Sequence, residues 1–88
     1  MRRIMNDRMY DTDKATLVVK YREELEDEPL FGSSFLYLKK TGEWFLYYEG
    51  GQYRDTQIKP IMSFEAKMWL AERDFVDEYI QYFGEPEE

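Results

Sequence analysis

The chain has 88 residues, 43% of them hydrophobic and 18% aromatic, and its 12 basic and 19 acidic side chains give a net charge of −7. At this length we expect a single domain over residues 1–88 with one modest core. The absence of cysteine and histidine excludes disulfides, thiolate catalysis, imidazole acid–base chemistry and zinc binding by the usual ligands. No window approaches the roughly 18 apolar residues of a membrane span and no signal-peptide pattern follows the N-terminus, so a cytoplasmic protein is predicted.

The charge is unevenly distributed along the chain. Residues 1–22 carry six basic and three acidic side chains, a balance of +3. Residues 23–28 carry five acidic side chains and no basic one. From residue 65 onward, eight acidic side chains face two basic ones, a balance of −6. The acidic charge is therefore concentrated in one segment and in the C-terminal quarter.

The N-terminal segment gives weak structural signals. Residues 1–9 show little periodicity, and we expect an irregular or short edge segment there. Asp11, Thr12 and Asp13 follow, and such side chains accept hydrogen bonds from backbone amides two or three residues on, which predicts a turn. Calcium binding by the two aspartates is the alternative, but a calcium loop needs several more ligands and a glycine at the bend.

A strand is predicted next, over residues 17–22, which are rich in β-branched side chains. Strict alternation places Leu17, Val19 and Tyr21 together on the face that joins the core. Residues 23–28 then form a loop, because carboxylates that repel one another suit neither a strand nor a helix interior.

The clearest signal is a β-hairpin over residues 34–49. Two apolar runs, residues 35–38 and 44–48, flank a Lys-Lys-Thr-Gly-Glu segment in which Gly42 can adopt the positive φ of a tight turn. Both runs are apolar without alternation, which indicates that each face of the hairpin is covered, either by the rest of the chain or by another molecule.

The register of this hairpin follows from the length of its turn. A two-residue turn predicts that Leu38 lies opposite Phe45. Tyr37, Trp44 and Tyr48 then share the other face. If the C-terminal segment covers only one side of the sheet, these three aromatic side chains are left for a partner.

Two weaker features follow the hairpin. Paired glycines at positions 50 and 51 break the strand, and a phosphate-binding loop is the functional alternative, but no Lys-Ser or Lys-Thr pair and no helix follow them. Residues 58–61 predict a short strand at a sheet edge, because Pro60 is tolerated there and not in a central strand.

Residues 64–83 have helical periodicity, with Ser63 as the expected N-cap and Gly84 as the end before an acidic tail at residues 85–88. The segment forms one helix or two, with a break near Arg73 and with Asp74 capping the second helix. The side chains expected to pack on the sheet are Met68, Trp69, Phe75, Val76, Tyr79, Ile80 and Phe83. The predicted fold is α+β: an antiparallel sheet of three to five strands with one or two C-terminal helices on one face.

An ordered set of short motifs runs through most of residues 10–84. The motifs are Tyr10-Asp11-Thr12, Leu36-Tyr37, Lys39-Lys40-Thr41-Gly42-Glu43-Trp44-Phe45-Leu46, Glu49-Gly50-Gly51, Ile58, Pro60, Glu65-Ala66-Lys67-Met68-Trp69, Asp77-Glu78-Tyr79 and Phe83-Gly84. In this order they resemble small uncharacterised acidic proteins of phages and mobile elements of Firmicute bacteria. The chain departs from that pattern in a shorter loop before Ile58 and in the acidic residues 23–28. The resemblance implies no catalytic residues, and it implies a setting in which such proteins often inhibit host defence, anti-CRISPR proteins included.

The first functional hypothesis is a binding protein that blocks the nucleic-acid channel of a CRISPR effector nuclease. Such channels are positively charged, and surface carboxylates can occupy contacts made for phosphates. The candidate carboxylates are Glu23, Glu24, Glu26, Asp27, Glu28, Asp74, Asp77 and Glu78. Tyr37, Trp44 and Tyr48 are the candidate apolar anchors, since interfaces favour exposed aromatic side chains.

Three other classes of function are alternatives to inhibition. A protein interaction module without mimicry, or a symmetric homodimer through the spare hairpin face, requires only the two apolar faces. Nucleic-acid binding is opposed by the overall acidity, although basic side chains are available in Arg2, Arg3, Arg8, Lys20, Lys39 and Lys40. An enzyme is not predicted, because catalysis by carboxylates alone needs a cleft that so small a domain does not readily build. No cofactor or metal is expected.

Overall fold

The computed structural model describes residues 1–22, 32–49 and 56–87. The described elements are β1 (Arg2–Met5), β2 (Arg8–Asp11), β3 (Thr16–Arg22), β4 (Ser33–Leu38), β5 (Trp44–Glu49), β6 (Gln57–Ile61), α1 (Ser63–Glu72) and α2 (Val76–Phe83). The strands form two antiparallel sheets, a β1–β2 hairpin and a four-stranded sheet in the order β3-β4-β5-β6, and both helices pack on the larger sheet. The α+β prediction is confirmed. The predicted acidic loop at residues 23–28 and the paired glycines at positions 50 and 51 lie outside the described residues.

The predicted central hairpin is present, but its turn is longer than two residues. The backbone N–H of Lys39 donates to the carbonyl of Glu43 at 2.8 Å, and that of Gly42 donates to the carbonyl of Lys39 at 2.9 Å. Gly42 has a φ of +92°. Three-residue hairpin loops characteristically end in a left-handed glycine of this kind. Lys39 and Glu43 therefore close the hairpin.

The longer turn shifts the strand register by one residue, so the predicted pairing is wrong. Leu38 lies opposite Trp44, and Tyr37 lies opposite Phe45. A shift of one residue exchanges the two faces of a strand. Trp44 and Tyr48 consequently face the helices, whereas Tyr37 stacks on Phe45 on the opposite side, with ring centroids 5.1 Å apart. The three aromatic side chains do not share a face.

The core on the helical side joins the sheet to both helices. Its buried members are Val19, Leu36, Trp44, Leu46, Ala66, Trp69 and Leu70. Burial of this apolar surface is the main contribution to the stability of α1 and α2, which are too short to be stable alone. The predicted strand β6 lies at the edge of the sheet and contains Pro60, as expected.

The helical segment breaks where one of the two predicted alternatives placed the break. Asp74 has a φ of +59° and separates α1 from α2. The caps differ from the prediction by one residue: Met62 is the N-cap of α1 and Phe75 that of α2. The backbone N–H of Met62 donates to Glu65 Oε1 at 3.0 Å. This bond takes the place of the expected serine cap.

The break also changes which helical side chains reach the sheet. Trp69, Phe75, Tyr79 and Phe83 pack against the core as predicted. The prediction is wrong for the remaining three, which are exposed: Met68, Val76 and Ile80. A single helical stripe does not continue through a left-handed residue, because the second helix starts with a new direction and rotation.

The N-terminal segment, expected to be an irregular or short edge segment, forms the β1–β2 hairpin. Its turn consists of Asn6 and Asp7, with φ values of +52° and +62°, as in a type I′ hairpin turn, whose preferred residues include Asn and Asp. Tyr10 is buried and meets the ring of Phe45 edge-on at 5.5 Å. The hairpin thus covers the sheet face opposite the helices. A second core lies between them, and its buried members are Tyr10, Tyr37, Phe45 and Ile58.

Strand β3 and the turn before it show one confirmation and one correction. The backbone N–H of Asp13 donates to Asp11 Oδ1 at 2.9 Å, so the predicted turn is confirmed. The prediction that side chains alternate strictly along β3 is wrong, because the pairing with β4 shifts in register between Leu17 and Val19. This bulge leaves Leu17 exposed, whereas Val19 and Tyr21 reach the helical side of the sheet.

Candidate protein-binding surface

The aromatic side chains predicted to contact a partner are largely enclosed. Tyr37 is 9% exposed and Trp44 is 6% exposed. Burial raises the pKa of the Tyr37 hydroxyl above its ordinary value. Trp44 stacks on Phe83 of α2, with ring centroids 5.3 Å apart. Because the N-terminal hairpin covers one sheet face and the helices cover the other, neither ring is available as an anchor in this conformation.

Exposed apolar side chains lie on the helices instead. Phe64 and Met68 of α1 are 63% and 56% exposed, and Val76 and Ile80 of α2 are 60% and 37% exposed. Within each pair the residues are four positions apart and so lie on one side of their helix. We call these four side chains, with the carboxylates beside them, the helical surface. The sequence signal for the helical surface was the breadth of the apolar stripe in residues 64–83. Periodicity alone did not separate the exposed members of that stripe from the buried ones.

A groove runs between α1 and the β5–β6 edge. It has a volume of about 270 Å³, and its wall includes Tyr48, Phe64, Met68 and Trp69. Tyr48 is half-buried, so this predicted anchor does line an accessible surface. Aromatic and methionine side chains are enriched at protein interfaces, and methionine adapts its shape to a partner.

Arg73 forms one end of this groove. Its guanidinium carbon lies 4.3 Å from the centroid of the Trp69 ring and 5.3 Å from that of Tyr21. Its Nη1 donates to the carbonyl oxygen of Trp69 at 3.2 Å. These contacts hold the indole ring against the core, and they leave the rim of the groove with charges of both signs, including Lys59 and Glu72.

Among the predicted carboxylates, Asp74 lines a groove with Val76 and Ile80 of α2, and Asp77 and Glu78 lie in the first turn of that helix. Asp74 and Asp77 are exposed, and Glu78 is half-buried. None of the three has an ion pair with any cation of the described residues. Residues 63–87 hold seven acidic and two basic side chains, a balance of −5. The predicted carboxylates at positions 23, 24, 26, 27 and 28 lie outside the described residues.

The described part of the chain holds no group of three or more Asp or Glu side chains arranged to bind a metal ion. None of its helices combines the length and apolar character needed to cross a bilayer.

Comparison of the chain with protein-family models, with curated proteins and with solved structures finds no match.

Proposed function

We propose that this protein is a non-enzymatic binding protein that inhibits a host nucleic-acid-binding protein by occupying its positively charged surface. The observation that carries the proposal is the helical surface, where Val76 and Ile80 are exposed in a groove with Asp74. Asp74, Asp77 and Glu78 have no ion pair among the described residues. Apolar anchors contribute most of the affinity of an interface, and charge complementarity contributes orientation and association rate.

The sign of the charge selects the class of partner. A balance of −5 over residues 63–87 opposes contact with nucleic acid and with a second acidic copy of the same surface. It favours a partner with clustered Arg and Lys side chains, as in a channel that holds DNA or RNA. The most specific form of the proposal is an anti-CRISPR protein of a phage or mobile element, whose target is an RNA-guided effector nuclease.

The experiment is cleavage of target DNA by guide-loaded effector nucleases from Firmicute hosts, with and without the purified protein. We expect inhibition at micromolar or lower concentration for at least one nuclease. Reversing three charges of the helical surface, in the variant Asp74→Lys/Asp77→Lys/Glu78→Lys, is expected to weaken inhibition at least tenfold, since charge pairs at an interface set both association and specificity. The matched control reverses two exposed acids away from the helices, Asp13→Lys/Glu49→Lys, and is expected to inhibit almost like the unmodified protein.

Three results would contradict the proposal at different levels. Unchanged cleavage by every nuclease at a tenfold molar excess of the protein rejects these nucleases as the target. Equal inhibition by the helical-surface variant and the control variant Asp13→Lys/Glu49→Lys rejects the helical surface as the site. A stable dimer in light scattering that the Phe64→Ala/Met68→Ala variant dissociates favours self-association instead.

A further inference from the structure

A second cavity lies on the other side of the larger sheet, away from the helical surface. It forms where the turn between β2 and β3 meets the turn between β4 and β5, and it has a volume of about 320 Å³. Its lining residues are Met9, Asp11, Lys14, Ala15, Lys39, Lys40 and Thr41. The volume falls within the ~300–1,000 Å³ typical of small-molecule sites.

The cavity has an excess of positive charge. Lys14 and Lys40 have no ion pair with any carboxylate of the described residues, and Lys39 has one, with Glu43 Oε1 at 3.1 Å. The single carboxylate of the lining, Asp11, accepts hydrogen bonds from Arg2 Nε at 3.2 Å and from the backbone N–H of Asp13 at 2.9 Å. The charge of Asp11 is thus largely satisfied within the fold, and the ammonium groups of Lys14 and Lys40 have no such partner among the described residues.

The remaining wall is apolar. The side chain of Met9 is exposed here, and Ala15 is half-buried. The aliphatic stems of the lysines add to this wall. A ligand that matches both the ammonium groups and the apolar wall of the cavity has one group of high negative charge and an apolar or flat body.

We infer that this cavity binds a phosphate monoester of nucleotide size. A phosphate monoester carries a charge of about −1.5 to −2 at pH 7 and offers three strong acceptor oxygens, which suits the unpaired ammonium groups of Lys14 and Lys40 better than a single carboxylate does. Lysine binds phosphate as a point charge without a fixed geometry, so side chains on two different turns can contribute to one site. The base of a nucleotide then lies against Met9. The inference is independent of the function proposed for the helical surface.

The test is an NMR titration of the intact protein with AMP and, separately, with adenosine. We expect AMP to shift the amide signals of Lys14, Ala15, Lys40 and Thr41, with an affinity at least tenfold higher than that of adenosine and weakened by added salt. Equal affinity for the two compounds, or no shift at these amides at millimolar AMP, overturns the inference.

Matched variants locate the site independently. Lys14→Gln/Lys40→Gln is expected to lower AMP affinity at least tenfold, whereas Lys59→Gln/Lys67→Gln removes the same charge elsewhere and is expected to change it less than twofold. An equal loss in both variants indicates general electrostatic attraction and overturns the inference. The source of the phosphate is distinguished with a 5′-phosphorylated oligonucleotide. If it binds more tightly than both AMP and the same oligonucleotide without the phosphate, the natural ligand is the end of a nucleic acid. If AMP binds more tightly, the natural ligand is a free nucleotide.

Discussion

Lys39 and Glu43 are joined twice, once by the backbone and once by their side chains. The N–H of Lys39 donates to the carbonyl of Glu43 at 2.8 Å, and its ammonium group lies 3.1 Å from Glu43 Oε1. The other oxygen of that carboxylate, Oε2, lies 2.8 Å from Nη1 of Arg8 in β2. Glu43 therefore links the closing pair of the central hairpin to the N-terminal hairpin that covers the sheet.

The first prediction concerns acid stability. The hydrogen bond from Lys39 holds the pKa of the Glu43 carboxyl below its usual value, and the backbone N–H of Asp13 does the same for the pKa of Asp11. A carboxyl group whose pKa is lower in the folded state than in the unfolded state stabilises the fold. This contribution is fully present above the pKa of the unfolded state, about 4, and is lost as pH falls through the pKa of the folded state. We expect Asp11→Asn/Glu43→Gln to flatten the decrease of Tm below about pH 4. A decrease as steep as that of the unmodified protein contradicts this assignment.

The second prediction separates stability from binding. Phe45 is fully buried, and Phe45→Ala is expected to reduce the free energy of unfolding by about 3–5 kcal/mol, a large part of the ~5–15 kcal/mol of a small domain. Phe64 is 63% exposed, and Phe64→Ala is expected to change it by less than about 0.5 kcal/mol. Urea denaturation followed by circular dichroism measures both. A loss above about 1 kcal/mol for Phe64→Ala would show that this ring belongs to the core.

The existence of the central hairpin was predictable from local sequence, but its register was not. Two apolar runs around Gly42 are sufficient to predict a hairpin. Whether its loop holds two or three residues depends on Lys39 and Glu43 closing the strands, and that closure is supported by Arg8 from a distant part of the chain. The wrong turn length exchanged the faces of β5, and this is why Trp44 was expected at a partner-binding surface.

The N-terminal hairpin and the helical surface were missed for a similar reason. β1 and β2 contain polar, exposed side chains, and their order depends on Tyr10 packing onto Phe45. Periodicity across residues 64–83 runs through both helices, so it did not show that the left-handed conformation of Asp74, with a φ of +59°, would change the direction and rotation of α2. The acidic character of the segment was predictable, since charge can be read from the sequence.

The third prediction tests the turn itself. Gly42 has a φ of +92°, and space is open around it, so a new Cβ would meet no atom within 4 Å. The cost of Gly42→Ala is therefore conformational, about 1–2 kcal/mol. Gly42→Asn is expected to cost less, because Asn adopts left-handed conformations more readily. Equal stability of Gly42→Ala and the unmodified protein in urea denaturation would contradict a left-handed residue at this position.

The last prediction concerns the cover that the N-terminal hairpin provides. The ring of Tyr10 packs edge-on against Phe45, and the ammonium group of Lys39 lies 4.3 Å from its centroid. Tyr10→Ala is expected to release β1 and β2, so that their amides exchange faster than those of β4 and β5, and an apolar dye binds the uncovered sheet. The Tyr10 hydroxyl makes no hydrogen bond within the described residues, and Tyr10→Phe keeps both ring contacts. This variant is therefore expected to behave like the unmodified protein. Dye binding by both variants would indicate that the hydroxyl, and not the ring, holds the hairpin. Dye binding by neither would show that Tyr37 and Phe45 stay covered without Tyr10.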